Sequence, residues 1–268
     1  MYKTDSLLVY VCSSGTVMNE NTPNGSVVTL KGVKFHIPGT MCCYGPTCSG
    51  KTTWLCRLLR DIENHFYTSD GSTPKRIVYC HNSVHQPMFD VLKEKGVEFK
   101  IGMPDDIQSL FPPTKRPGIL ILDDLMGAVN KNDKALEAVT VTAHHSSIFL
   151  IVTQQCLHPR GKNAVQLRQN FHYKVLFPYP GDQQNIKRFL SNNETGEKLK
   201  QLHEYYLRCC EHEDYDRYLL IAAHPLEDNR LTKYRTSVLN GEKQTRILVD
   251  KRRLENVKLH RDKKGKIH

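Results

Sequence analysis

Between Gly45 and Thr52 the chain reads Gly-Pro-Thr-Cys-Ser-Gly-Lys-Thr, which meets G-x-x-x-x-G-K-[ST] at every fixed position and restricts the fold more than any other stretch. The two glycines let the backbone approach an anion and take conformations that a Cβ disfavours. Successive N–H groups from Gly45, Pro46, Thr47, Cys48, Ser49 and Gly50 onward, proline excepted, then line one concavity at the positive end of a helix, where phosphate is favoured. Lys51 supplies a cation for β- and γ-phosphates, and the Thr52 hydroxyl is a hard oxygen ligand for Mg²⁺; Thr53 completes the loop. The flanks agree with this reading. Met41 to Tyr44 is apolar enough for a buried strand, and Leu55, Leu58, Leu59, Ile62 and Phe66 follow at helical spacing. A strand, a glycine turn and a helix in that order make a site for ATP and Mg²⁺.

The rest of the chain alternates in the same way. Apolar strands are expected at Ile77 to Cys80, in VEFKIG, at Ile119 to Leu122, and in SSIFLIVTQQ, YKVLFPYPGD and RYLLIAAHP; helices are expected over 132–144 and Lys187 to Cys210. Strands covered on both faces become continuously hydrophobic, so the pattern implies an α/β fold with a mostly parallel central sheet flanked by helices. The expected division is an N-terminal arm or edge segment over 1–38, a P-loop domain over 39–240, and a basic flexible tail over 241–268. Within the arm, residues 13–26 are polar and turn-rich and read as a loop.

In open α/β sheets ligands lie beyond the carboxyl ends of the strands. Asp123 and Asp124 end one apolar strand, and Asp123 is the expected Mg²⁺ ligand, directly with Thr52 or through water. Asp124 stands where a carboxylate can orient and activate an attacking water; the bland alternative is a helix N-cap. Thr153-Gln154-Gln155 ends the next strand. Gln154 is the expected contact to the γ-phosphate or its water, with Gln155 the competitor, because periodicity does not say which of two neighbours points inward. His81 and His85 lack the Glu of H-E-x-x-H, and His144 and His145 are adjacent, so zinc chemistry is not expected.

The net charge is +10, and the segment from Gly241 to His268 holds ten Lys/Arg against four acids. A basic, hydrophobe-poor tail suits a polyanion partner or a nuclear address, and equally a solvated end. Nine cysteines include the adjacent pairs Cys42-Cys43 and Cys209-Cys210, with no C-x-x-C, a poor frame for disulfides or a zinc ribbon. They read as reduced thiols of an intracellular protein, in a virion or in the nucleus or cytoplasm of a host. No apolar run has the length of a membrane span.

The order GPTCSGKTT, RIVYCHNSVHQPMFD, ILILDDLM, HHSSIFLIVTQQ and NFHYKVLFPYPGD resembles the FtsK/HerA superfamily of P-loop motors, and within it the poxvirus-type genome-packaging ATPases of large DNA viruses and Maverick/Polinton-like elements. The resemblance runs from about Gly39 to Val238. It implies a RecA-like core assembling into a homo-oligomeric ring that drives double-stranded DNA into a capsid, with a capsid or portal-vertex protein as a further partner. It carries Asp123 and Asp124 over as the Walker B pair and Gln154 as the sensor. Such rings complete each site with an arginine from the next subunit. The position expected for it falls near Val165, and Arg168 is the candidate, with Arg160 as competitor. A DNA helicase stands close to this expectation. A P-loop nucleotide kinase would carry an arginine-rich lid, of which the sequence has no compact example, and a non-catalytic nucleotide switch would use Asp124 only as a cap.

Overall fold

A computed structural model describes residues 6–11, 16–19, 28–29, 34–82, 86–211, 216–227, 233–242 and 245–250. These fall into two compact units. One is Val33–Asn185; the other comprises the described residues within Met1–Gly32 and Ile186–His268. The boundary near Asn185 thus lies inside the stretch that the sequence suggested as a single domain over 39–240.

In chain order, the second of these units begins with β1 (Ser6–Val11), β2 (Thr16–Asn19) and β3 (Val28–Thr29). The P-loop unit then contains β4 (Phe35–Ile37), β5 (Gly39–Tyr44), α1 (Lys51–Arg60), α2 (Ile62–His65), β6 (Phe66–Thr68), β7 (Arg76–His81), α3 (Met88–Glu94), β8 (Val97–Ile101), α4 (Ile107–Leu110) and β9 (Gly118–Leu122). It continues through α5 (Met126–Val129), α6 (Asp133–Glu137), a π turn (Ala138–Thr142), α7 (Ala143–His145), β10 (Ile148–Gln154), α8 (Ala164–Asn170) and β11 (Tyr173–Leu176). After α9 (Gln183–Leu190) come α10 (Gly196–Glu211), β12 (Leu219–Ala222), β13 (Tyr234–Thr236) and β14 (Thr245–Asp250).

The P-loop unit is built on six strands in the order β11-β5-β10-β9-β7-β8, every neighbouring pair parallel. All residues of β5, β9 and β10 are buried, because each of these strands is covered on both faces. Their hydrophobicity is therefore continuous rather than alternating, as the sequence reading required. The fold class is α/β with helices flanking a parallel sheet. The order matters for the site: β10 lies between the P-loop strand β5 and the strand β9 that ends in the two aspartates. Register places Gln154 opposite Tyr44, and Leu122 opposite both Val152 and Cys80, so four strand ends meet along one border of the sheet.

In the other unit β3-β2-β1-β14-β13-β12 pair antiparallel throughout. That arrangement revises two expectations. The polar stretch 13–26 contains β2, and the tail expected to be flexible from residue 241 contributes β14, with Val9 opposite Ile247. The more basic part, 251–268, lies outside the described residues. Two helical expectations also change. The helix after the P-loop stops at Arg60, and Phe66 enters β6 instead of continuing the apolar stripe. The helix expected over Lys187 to Cys210 is broken between Leu190 and Gly196, where Ser191-Asn192-Asn193 supplies polar residues that favour turns.

Candidate active site

The loop between β5 and α1 is shaped by contacts that the sequence specifies. A Cβ on Gly45 would lie 2.3 Å from Ser49 Oγ and 2.9 Å from Phe177 Cβ, so the residue must lack a side chain. Gly50 has φ of 93°, the left-handed region in which glycine is at no disadvantage. Gly45 N donates to Gln154 O at 3.0 Å, which ties the start of the loop to the end of β10. Lys51 opens α1 and is 8% exposed; its Nζ donates to Gly45 O and Pro46 O, each at 2.7 Å. Burial lowers its pKa, an effect that the carboxylate of Asp123 opposes. These two carbonyls keep the ammonium within the loop that it is expected to serve, and phosphate oxygens offer stronger partners for the same charge.

Asp123 follows β9 and is 4% exposed. Its carboxyl oxygens are paired in spite of burial, because three hydroxyls donate to them: Thr52 Oγ at 3.0 Å and Tyr79 Oη at 2.7 Å to Oδ2, and Thr153 Oγ at 2.8 Å to Oδ1. The pairing of Thr52 with Asp123 puts two hard oxygen groups side by side at the helix N-terminus. They fit Mg²⁺, whose remaining positions phosphate and water would fill. Thr153 Oγ has a second task, accepting the Asp124 N–H at 2.8 Å, so one hydroxyl of β10 fixes both aspartates.

Asp124 adopts φ of 55°, a left-handed conformation that aspartate tolerates better than most residues. It is not the N-cap of α5. Leu125 holds that position, without a side-chain cap bond. The Asp124 carboxylate instead accepts from Gln155 Nε2 on Oδ1 and from Asn82 Nδ2 on Oδ2, the latter at 3.2 Å.

The expectation for Gln154 needs correction. Its side chain is 2% exposed and forms a reciprocal amide pair with Asn130, Nδ2 to Oε1 at 3.0 Å and Nε2 to Oδ1 at 3.3 Å. Alternation along β10 puts Gln154 on the face opposite Thr153, whereas Gln155 shares the parity of Thr153 and lies toward the acids. Gln155, the competitor, is the glutamine at the site.

These groups surround a cavity of about 350 Å³ lined by residues 47–53, by His81, Asn82, Gln86 and Phe89, and by Asp123, Asp124, Thr153 and Gln155. Pro46 and Gly45 lie at its margin, their carbonyls on Lys51. The structure therefore brings together the P-loop, Asp123 and Asp124, and leaves Gln154 outside. Nor do the two arginines line the cavity of their own chain: Arg160 is exposed, and Arg168 Nη1 donates to His158 Nδ1 at 2.7 Å. Among the described residues that line it, Lys51 is the sole Lys or Arg. The sequence reading missed Tyr79 and Asn82. Both sit at the carboxyl-terminal half of β7 or just beyond it, and position at a strand end was the signal that could have found them.

The chain has an α/β fold in which a glycine loop joins the buried strand β5 to α1 beside a parallel sheet. Comparison with protein-family models finds none that matches, and comparison with curated proteins finds no match. Among solved structures the chain is similar to the genome packaging NTPase B204 from Sulfolobus turreted icosahedral virus 2. The complex with AMPPCP is 11% identical, with a TM-score of 0.43, over 69% of this chain and 93% of that one. The complex with ATP-gammaS gives 12% identity and the same score and coverage. The flagellar accessory protein FlaH from Methanocaldococcus jannaschii is 11% identical, with a TM-score of 0.36, over 56% of this chain and 76% of that one. No helix among the described residues is long and apolar enough to cross a membrane. The eight cysteines among them are free thiols, and burial pushes the Cys56 thiol up to about 12 and Cys80 up to about 11.

Proposed function

We propose that this protein is an ATP-hydrolysing motor that moves double-stranded DNA, and that its task is to package a viral genome. The observation that carries the hydrolytic part is the second carboxylate. Asp124 lies in the cavity wall beside a P-loop, held by amides on both oxygens, which suits a base that orients water and is superfluous for binding alone. Lys51 would exchange its two loop carbonyls for β- and γ-phosphate oxygens. Thr52 and Asp123 would hold Mg²⁺, which would offset phosphate charge, and Gln155 would read the γ-phosphate from the end of β10. DNA as the substrate is supported by the motif order resembling packaging ATPases and by the basic sequence. Since Lys51 is the only Lys or Arg among the described residues that line the cavity, a ring in which a neighbouring copy supplies an arginine would complete the charge around the transferred phosphoryl; Arg160 and Arg168 are the candidates.

The test is steady-state ATP hydrolysis with and without linear duplex DNA, for the wild type, Lys51→Ala and Asp124→Asn. Stimulation by DNA, lost in both variants, supports the motor. Activity indifferent to DNA turns the reading toward a phosphoryl acceptor, and a strand-separation assay distinguishes packaging from unwinding.

A further inference from the structure

The Asp123 carboxyl takes one of its hydroxyl donors from outside the P-loop and β10. Tyr79 lies within β7 and is fully buried, and its Oη donates to Oδ2 at 2.7 Å, the same oxygen that Thr52 Oγ meets at 3.0 Å. Thr153 Oγ holds Oδ1 at 2.8 Å. An ionised carboxyl offers about four acceptor sites, shared equally between its oxygens. Both sites of Oδ2 are therefore filled, and the open one is on Oδ1, the oxygen that does not meet Thr52. Of the two hydroxyls on Oδ2, that of Tyr79 is the fixed one. Its ring stacks on Phe99 with centroids 5.2 Å apart and planes at 28°, and lies 5.2 Å from the ring of Phe89. Burial raises the pKa of Tyr79 and Asp123 beside it raises it further, so the phenol keeps its proton and stays a donor.

We infer that Tyr79 is a positioning residue for Asp123, its hydroxyl closing Oδ2 to direct metal binding so that Asp123 meets Mg²⁺ only through water. The inference rests on the reading of Thr52 and Asp123 as the Mg²⁺ site. Distance does not decide between the two modes. Neighbouring ligands of an octahedron with bonds of about 2.1 Å lie about 3 Å apart, and Thr52 Oγ and Asp123 Oδ2 are 3.0 Å apart. The count of donors decides. A hydroxyl has one proton and two acceptor sites, so Thr52 can turn a lone pair to a metal while its proton stays on Oδ2. Oδ2 has no spare site while Tyr79 holds its second one, and the phenol leaves only by shifting a ring packed against Phe89 and Phe99. Asp123 is thereby kept as an acceptor for metal-bound water. That arrangement suits Mg²⁺, which gives up its waters reluctantly and keeps several of them when bound.

The test uses the full chain with ADP and Mn²⁺, a paramagnetic substitute for Mg²⁺. Tyr79→Phe removes one oxygen and keeps the ring that fills the core, and Asp123→Asn is measured in parallel. Free Mn²⁺ is titrated by its electron paramagnetic resonance signal, and waters on bound Mn²⁺ are counted from spin-echo modulation in D₂O. The expected result for Tyr79→Phe is one water fewer on Mn²⁺ than in the wild type and Mn²⁺ bound at least fivefold tighter, because the freed Oδ2 becomes a direct ligand. ADP affinity in EDTA should stay within twofold of wild type. A variant that matches the wild type in water count or in Mn²⁺ affinity, with Asp123→Asn weakened, overturns the role of Tyr79 and leaves the metal site standing. ADP affinity in EDTA lost in step with the altered metal binding also overturns it, since that is the mark of a distorted loop. Wild-type Mn²⁺ binding in Asp123→Asn refutes the reading of Asp123 as the metal-side acid and this inference with it.

Discussion

Thr153→Val is the substitution that best separates chemistry from volume at this site. Valine preserves the β-branched shape, and with it the fit of a side chain that is 2% exposed in a central strand. What it removes is one oxygen with two jobs. The Asp123 carboxylate loses its donor at 2.8 Å, and the Asp124 N–H loses its acceptor at 2.8 Å. A hydrogen bond to a charged group contributes about 1.5–3 kcal/mol, and an orphaned donor costs about 1 kcal/mol or more. Together these make a loss of about 3 kcal/mol. At about 3 °C per kcal/mol for a chain of this size, the nucleotide-free protein should melt about 9 °C lower. Hydrolysis should fall more than tenfold, since both aspartates lose the constraint that aligns them. Thr153→Ser is the control: it keeps the oxygen and loses a methyl, for about 1 kcal/mol and near wild-type turnover. Thermal denaturation and steady-state hydrolysis measure both effects. A valine variant that melts within 2 °C of wild type, or a serine variant that melts as low as valine, refutes the account of Thr153 as a shared anchor.

Three further outcomes follow from other parts of the structure. Gly45→Ala places a Cβ 2.3 Å from Ser49 Oγ and should weaken binding of a fluorescent ATP analogue at least tenfold while leaving the melting transition cooperative. In the other unit, Arg235 and Glu227 form an ion pair at 2.9 Å with side chains 2% and 6% exposed; Glu227→Ala takes the carboxylate away from a buried guanidinium and should cost about 3 kcal/mol by denaturation. His65, buried between α2 and β6, has its pKa lowered by burial, an effect that Asp61 opposes and Lys34 assists. The unfolded chain therefore binds its proton at higher pH than the native one, so the stability contributed by neutral His65 is present above its ordinary pKa and is lost as pH falls below it. His65→Gln should flatten the fall in melting temperature between pH 7 and pH 5, and an unaltered slope would count against this assignment.

Much of the P-loop unit is legible in the chain itself, for local reasons. Whether a strand is buried on both faces is written in its composition, and β5, β9 and β10 are apolar from end to end or nearly so. The residues that mark a glycine loop between a strand and a helix are neighbours in sequence, so Gly45 to Thr53 points to a phosphate site without reference to other segments. Asp123 and Asp124 are found by the same logic, as acids at the end of an apolar run. The antiparallel unit was harder to read, since β1 and β14 are separated by most of the chain and nothing local to either marks the other as its partner.

The tertiary structure alone decided how the polar side chains share the site. Gln154 and Gln155 are chemically identical neighbours, and only the direction of Thr153 toward Asp123 fixes the parity that sends Gln154 to Asn130 and Gln155 to Asp124. Asn82 and Tyr79 belong to β7 and its end, and they reach Asp124 and Asp123 across 42 and 44 residues of sequence. Sequence singled out the groups proposed to bind phosphate and metal, because such groups act through their own backbone and charge. The orientation of a carboxylate is a property of the donors around it, and those donors come from other strands, brought within reach by the order in which the sheet assembles.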